Sequence, residues 1–145
     1  MPEFFSDIKV ILMRIVIDRE IIESCLQGAR ESYPTEFIGL MSGKVEKNDV
    51  IVDGLYLAPL ASVDGRSASF NPYHLPAGLR LVGSFHSHPS GPAMPSSADL
   101  SMFSHTGSAH IIAARPYTLH DVNAFDRNGK KIELVFVGTD VGSQQ

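Results

Sequence analysis

"GSFHSHPSGPAMPSSADL", residues 83–100, is the stretch on which the fold and the chemistry turn. The apolar run "LRLV" leads into it as a strand, and Leu100, Met102 and Phe103 continue it as a helix. Residues two apart on a strand point to the same side, so His86 and His88 present both imidazoles to one face. Two converging imidazoles and a carboxylate make a good zinc site with one position left open. Asp99 is the candidate third ligand, since a seven-residue loop and one helical turn can fold it back. Alone, His-x-His fits better a strand with one core histidine and one surface histidine. Ser96 and Asp99, three apart before an apolar run, also form a capping-box pattern, and an acid in a first turn is favoured with or without a metal. The two readings are compatible, because a helix start points its first-turn acid at whatever precedes it.

Outward from this stretch the chain alternates between strand and helix signals. Asp18 can cap a helix, with Glu20 in its first turn and Ile21, Ile22, Cys25, Leu26 and Ala29 on one face until Pro34 closes it. Cys25 lies on that stripe and reads as a small core residue. "EFIGLMSG", residues 36–43, reads as a buried strand headed by an acid; "DVIVDGLYLAP" is a second strand after a polar turn at 44–48. "RSASF", residues 66–70, is a weaker alternating segment, followed by the loop "NPYHLPAG". "AHIIAA" is a strand after the helix, and "DVNAFDRNGKKIELVFV" is a hairpin turning at Asn128-Gly129. The expected fold is mixed α/β: one domain with a central, mostly antiparallel sheet flanked by helices. Residues 1–14 read as an extension, with Met13 an alternative start, 15–137 as the domain and 138–145 as a flexible tail.

The totals exclude several classes. At 145 residues the chain can bury one real core, and 43% hydrophobic with 19% charged residues is ordinary globular composition. A net charge of −4 argues against nucleic acid as a partner. The single cysteine rules out an intrachain disulfide and any Cys-rich zinc site, so a reducing, cytoplasmic setting is the default. Arg14 interrupts the apolar run 10–17, which leaves no membrane helix and no membrane partner expected.

Order and spacing decide between the readings of the histidines. Glu36, then His86-Ser87-His88-Pro89, then Ser96 after seven residues and Asp99 three later, resembles the signature of the JAMM (MPN+) metalloproteases. The resemblance extends over nearly all of 15–137 and is nearest to the minimal archaeal and bacterial members. It implies an MPN-type domain with a layering similar to cytidine deaminases. Carried over residue by residue, it implies that His86, His88 and Asp99 bind one zinc ion per chain and that Glu36 is the catalytic general base. It also implies that the Ser96 hydroxyl helps hold an oxyanion. The implied activity is an isopeptidase or peptidase, deubiquitinase-like or desampylase-like, acting on a ubiquitin-like or sulfur-carrier protein with a C-terminal Gly-Gly. In this family the substrate tail is added as a strand, for which Arg66, Ser67, Ala68, Ser69 and Phe70 are the candidate edge.

Two other classes share features. A non-haem iron oxygenase uses two histidines and a carboxylate but needs no upstream glutamate. A non-catalytic MPN scaffold lacks ligands, and this chain keeps all of them. A zinc base deaminase is excluded because Cys25 alone cannot supply a Cys-x-x-Cys pair, and a thermolysin-like site because no His-Glu-x-x-His is present. Of the remaining histidines, His74 and His105 could line a cleft, whereas His110 and His120 read as structural or exposed.

Overall fold

The computed structural model describes residues 13–57 and 78–138. Seven strands and two helices follow one another as β1 (Arg14–Asp18), α1 (Arg19–Ser32), β2 (Ile38–Glu46), β3 (Asp49–Tyr56), β4 (Leu81–His88), α2 (Ser97–Thr106), β5 (Ala109–Ala114), β6 (Val122–Asp126) and β7 (Lys131–Val137). The strands pair in the order β1-β3-β2-β4-β5-β6-β7, and β7 returns to β1. The mixed α/β single domain is therefore as expected, with one difference: the sheet closes on itself. Four of the seven pairings are antiparallel and three, β1 with β3, β1 with β7 and β4 with β5, are parallel. Strand β1 makes the closure, since Ile15 and Ile17 are fully buried between two parallel neighbours. Arg14 begins this strand and pairs with Asp49 at 2.7 Å, so it belongs with the sheet and not with the extension. The segment 66–70, and with it the expected substrate edge, lies outside the described residues, as does His74.

Helix α1 starts where the sequence signals it. The Asp18 carboxylate accepts from the Glu20 N–H at 2.8 Å, which satisfies one of the donors a helix start leaves open. Ile22, Cys25, Leu26 and Ala29 then bury one face against Ile15, Ile17 and Phe85. Each large side chain so buried contributes about 1.5–3 kcal/mol. Burial also pushes the Cys25 thiol up to about 12, so this cysteine is core and not nucleophile.

The strands around the motif divide their residues between two faces. Phe85, Ile111 and Ala113 join the core under α1, while Ile112 and Phe125 meet Phe103 of α2 on the other side. Strands β4 and β5 approach so closely at Gly83 that an added Cβ would sit 1.5 Å from the Ala109 carbonyl oxygen. The terminal hairpin turns through three residues, 127–129, and not through Asn128-Gly129 alone. Asp126 closes it, its N–H donating to Lys130 O while its carboxylate accepts from the N–H groups of Asn128 and Lys130. Gly129 takes the left-handed position at φ 85°, the three-residue alternative to a two-residue turn.

Candidate metal centre

The two histidines leave β4 on the face that α2 covers, with Ser84 ahead of them by the same period of two. His86 is 1% exposed and packs edge-on to Phe103, with ring centroids 5.6 Å apart. Between the two histidines, Ser87 points the opposite way. Its hydroxyl accepts from the Phe37 N–H at 2.8 Å, and its own N–H donates to Phe37 O at 2.9 Å. That double tie, beside the Ile38–His86 pairing of β2 with β4, delivers Glu36 to the ligand face. Glu36 precedes the strand it was expected to head, and Glu36 Oε1 lies 3.6 Å from His86 Nδ1.

Asp99 arrives from α2 as the capping box predicts. Ser96 N donates to Asp99 Oδ2 at 2.8 Å, and Asp99 N donates to Ser96 Oγ at 3.1 Å. The cap therefore fixes the carboxylate in place. Its other oxygen, Oδ1, lies 3.3 Å from His86 Nδ1. His88 Nδ1 donates to the Pro92 carbonyl at 2.9 Å, and its Nε2 meets Asp99 Oδ2 at 2.9 Å. The loop 89–95 thus orients His88 as well as joining two elements, and Pro89 and Ser90 line the cleft with Ile38, Ser96 and Met102. That cleft has a volume of about 280 Å³.

Charge in this pocket is strongly coupled. Burial alone would raise the Asp99 carboxyl, but the two imidazoles beside it and the Ser96 N–H hold it well below the usual carboxylate range. Burial also opposes a charge on His86, yet Asp99 and Glu36 outweigh it and raise its pKa. The contact with Asp99 raises that of His88, against a smaller opposing effect of burial. An ionised Asp99 can only accept, so the His88–Asp99 bond needs a proton on His88 Nε2. A divalent cation takes the place of such protons.

The fit to a metal rests on one atom. His86 Nδ1 is buried with no hydrogen-bond partner, and it faces two carboxylates. Orphaned polar atoms in a protein interior are costly, and a cation at this point satisfies all three groups. Glu36, His86 and Asp99 each bring a ligand atom within 4.8 Å of the others. The grouping differs from the expected His86, His88 and Asp99: Glu36 enters it, and His88 joins through Asp99.

Residues 18–128 match the family model for prokaryotic homologues of the JAB domain. The chain belongs to the JAMM/MPN+ family. It is 31% identical to a probable metalloprotease from Haloferax volcanii, over 92% of this chain and 90% of that one. It is 33% identical to a JAB1/MPN domain protein from Archaeoglobus fulgidus of known structure, with a TM-score of 0.63 over 87% of this chain and 100% of that one. A structure described as a metalloprotease-like zinc site in the proteasome and signalosome gives 31% identity and a TM-score of 0.63, over 88% and 99% of the two chains. A protein from Desulfitobacterium hafniense, at 22% identity and a TM-score of 0.68 over 90% and 98%, shares the fold. At the level of its JAMM family the chain is a metalloprotease, and the cluster of Glu36, His86 and Asp99 could hold a metal ion.

Reading the sequence missed three residues of this site. Ser84 stands two before His86, so strand periodicity alone puts it on the ligand face. Ser87 stands between the ligands and carried no signal beyond its place in the motif. His110 was assigned to structure, and it is buried beneath α2, reaching His86 through Ser84. His105 bonds within α2 to Ser101 O and Ser104 and does not line the cleft. Among the described residues no helix is long and apolar enough to cross a membrane.

Proposed function

We propose that this chain is a zinc-dependent isopeptidase or peptidase that cleaves after the terminal Gly-Gly of a ubiquitin-like or sulfur-carrier protein. His86, His88 and Asp99 hold one zinc ion, Glu36 moves the proton and Ser96 donates to the oxyanion. The observation that supports this most is the buried His86 Nδ1 facing Glu36 and Asp99 without a hydrogen-bond partner. When bound, zinc supplies a Lewis acid and activates water at neutral pH.

The protein's own groups supply the rest. Glu36 is held by the Phe37–Ser87 tie beside the ligands, where its carboxylate can take a proton and later return it to the departing amine. Ser96 Oγ already accepts from Asp99 N, which leaves its O–H free to donate into the cleft it lines. Such a donor counts most for charge that develops during reaction. Ile38 and Met102 line the cleft beside these residues, and glycines flanking the scissile bond keep side chains clear of them. Glu36 in the cluster favours this reading over an iron oxygenase, whose chemistry has no use for a carboxylate base there.

Metal analysis of the purified protein should find about one zinc per chain, with chelator abolishing hydrolysis and zinc restoring it. Stoichiometric iron without hydrolysis would overturn the assignment. A conjugate ending in Gly-Gly should be cleaved and one ending in Gly-Val should not; equal cleavage of the two would remove the proposed specificity.

A further inference from the structure

A chain of three hydrogen bonds runs from the backbone to the ligand His86. His110 Nε2 lies 3.1 Å from the Gly107 carbonyl, His110 Nδ1 lies 2.7 Å from Ser84 Oγ, and Ser84 Oγ lies 2.8 Å from His86 Nε2. Both histidines and Ser84 are buried, so each of these atoms has its protein partner and no other route to satisfaction.

The direction of every bond follows from its first member. A carbonyl only accepts, so His110 Nε2 carries a proton and donates to Gly107 O. Burial holds His110 neutral, with its pKa lowered to about 3, so its Nδ1 bears a lone pair. Ser84 must then donate its hydroxyl proton to His110 Nδ1. Its oxygen is left to accept, and the donor is His86 Nε2–H. The proton that stays on His86 is therefore on Nε2, and Nδ1 is the nitrogen left for the metal.

We infer that Ser84 and His110 are positioning residues that set the tautomer and ring orientation of His86 for metal binding. The inference rests on the metallopeptidase reading above and adds to it two residues outside the signature. Phe103 completes the device: its ring stacks on His110 at 3.9 Å with an interplanar angle of 2°, which keeps the imidazole in the plane the relay needs. Without the relay a neutral His86 is free to carry its proton on Nδ1, where it blocks the metal. Outer partners of ligating histidines act in this way in general, and losing one costs about 10–100-fold in metal affinity.

The test combines zinc titration against a chromophoric competitor with ¹⁵N spectra of histidine-labelled protein. His110→Phe keeps the stack on Phe103 and removes the acceptor; Ser84→Ala removes the hydroxyl, and Ser84→Thr restores it. His110→Phe and Ser84→Ala should each bind zinc about 10–100-fold more weakly, while Ser84→Thr binds as wild type does. The double variant should lose no more than Ser84→Ala, because both act through one bond to His86. In metal-free wild type at neutral pH, His110 should show the Nε2–H tautomer. Unchanged zinc affinity in His110→Phe, additive losses in the double variant, or an Nδ1–H tautomer on His110 would each overturn the relay and leave the metal site standing. A wild-type chain that bound no zinc would instead overturn the metallopeptidase reading, and the relay's role with it.

Discussion

The two faces of β4 are built from alternate residues of one segment and serve opposite ends. Gly83, Phe85 and Ser87 turn toward α1, where Phe85 joins a wide apolar cluster. Ser84, His86 and His88 turn toward α2, where a smaller cluster of Ala93, Phe103, Ile112 and Phe125 surrounds buried polar groups. The first face holds the domain together by the amount of apolar surface it removes from water. The second spends its burial on pinning hydrogen-bonded groups in fixed orientations, which low polarity makes both stronger and less forgiving. One strand can do both because its side-chain period of two keeps the tasks apart.

Replacing the proposed proton carrier should produce the largest effect and touch only one face. Glu36→Gln should lower turnover by about 10²–10⁴-fold while zinc content and melting temperature stay near wild type. A rate within about threefold of wild type would remove Glu36 from the chemistry.

Matched core deletions sharpen the contrast. Leu26→Ala under α1 should cost about 2–5 kcal/mol in denaturant unfolding and leave zinc affinity unchanged. Phe103→Ala under α2 should cost a similar amount, about 3–5 kcal/mol, and should weaken zinc binding as well. Equal zinc affinity in the two variants would mean that the faces are not functionally distinct.

The buried neutral His110 gives the α2 face a pH signature of its own. Its pKa is depressed from 6.5 to about 3 on folding, so between those limits the unfolded chain binds a proton that the folded chain refuses. Stability from this group is complete above pH 6.5 and drains away as the pH falls toward about 3. In metal-free protein, the stability difference between wild type and His110→Phe should shift against wild type by up to about 1.4 kcal/mol per pH unit across that window. Parallel stability curves for the two proteins would show that His110 is not held neutral.

Ser96→Ala should cost about 1 kcal/mol of stability for a lost helix cap. Its hydrolysis rate should fall by more than that loss of stability explains, since Ser96 also faces the cleft. A rate loss that vanished on correction for folded fraction would confine Ser96 to the cap.

What the sequence disclosed follows the range of the interactions. The cap at Asp18, the apolar stripe of α1 and the capping box at Ser96 and Asp99 are local, and each is legible within a few residues. Spacing made Glu36, His86, His88, Ser96 and Asp99 legible as a set, though the geometry groups Glu36 with His86 and Asp99 more tightly than His88. Closure of the sheet was not legible, because β1 and β7 stand at opposite ends of the domain and nothing local encodes their parallel pairing. Ser84 and His110 form their bond across 26 positions, so His110 looked like any strand-start histidine until β5 was laid beside β4.

The tie between Ser87 and Phe37 has a consequence in time as well as in space. Glu36 and His86 stand beside the same backbone ties, Phe37–Ser87 and Ile38–His86. Any breathing motion that parts β2 from β4 there carries Glu36 away from His86 in the same event. The exchange of the Phe37 and Ser87 amide protons with solvent therefore reports how often that parting occurs.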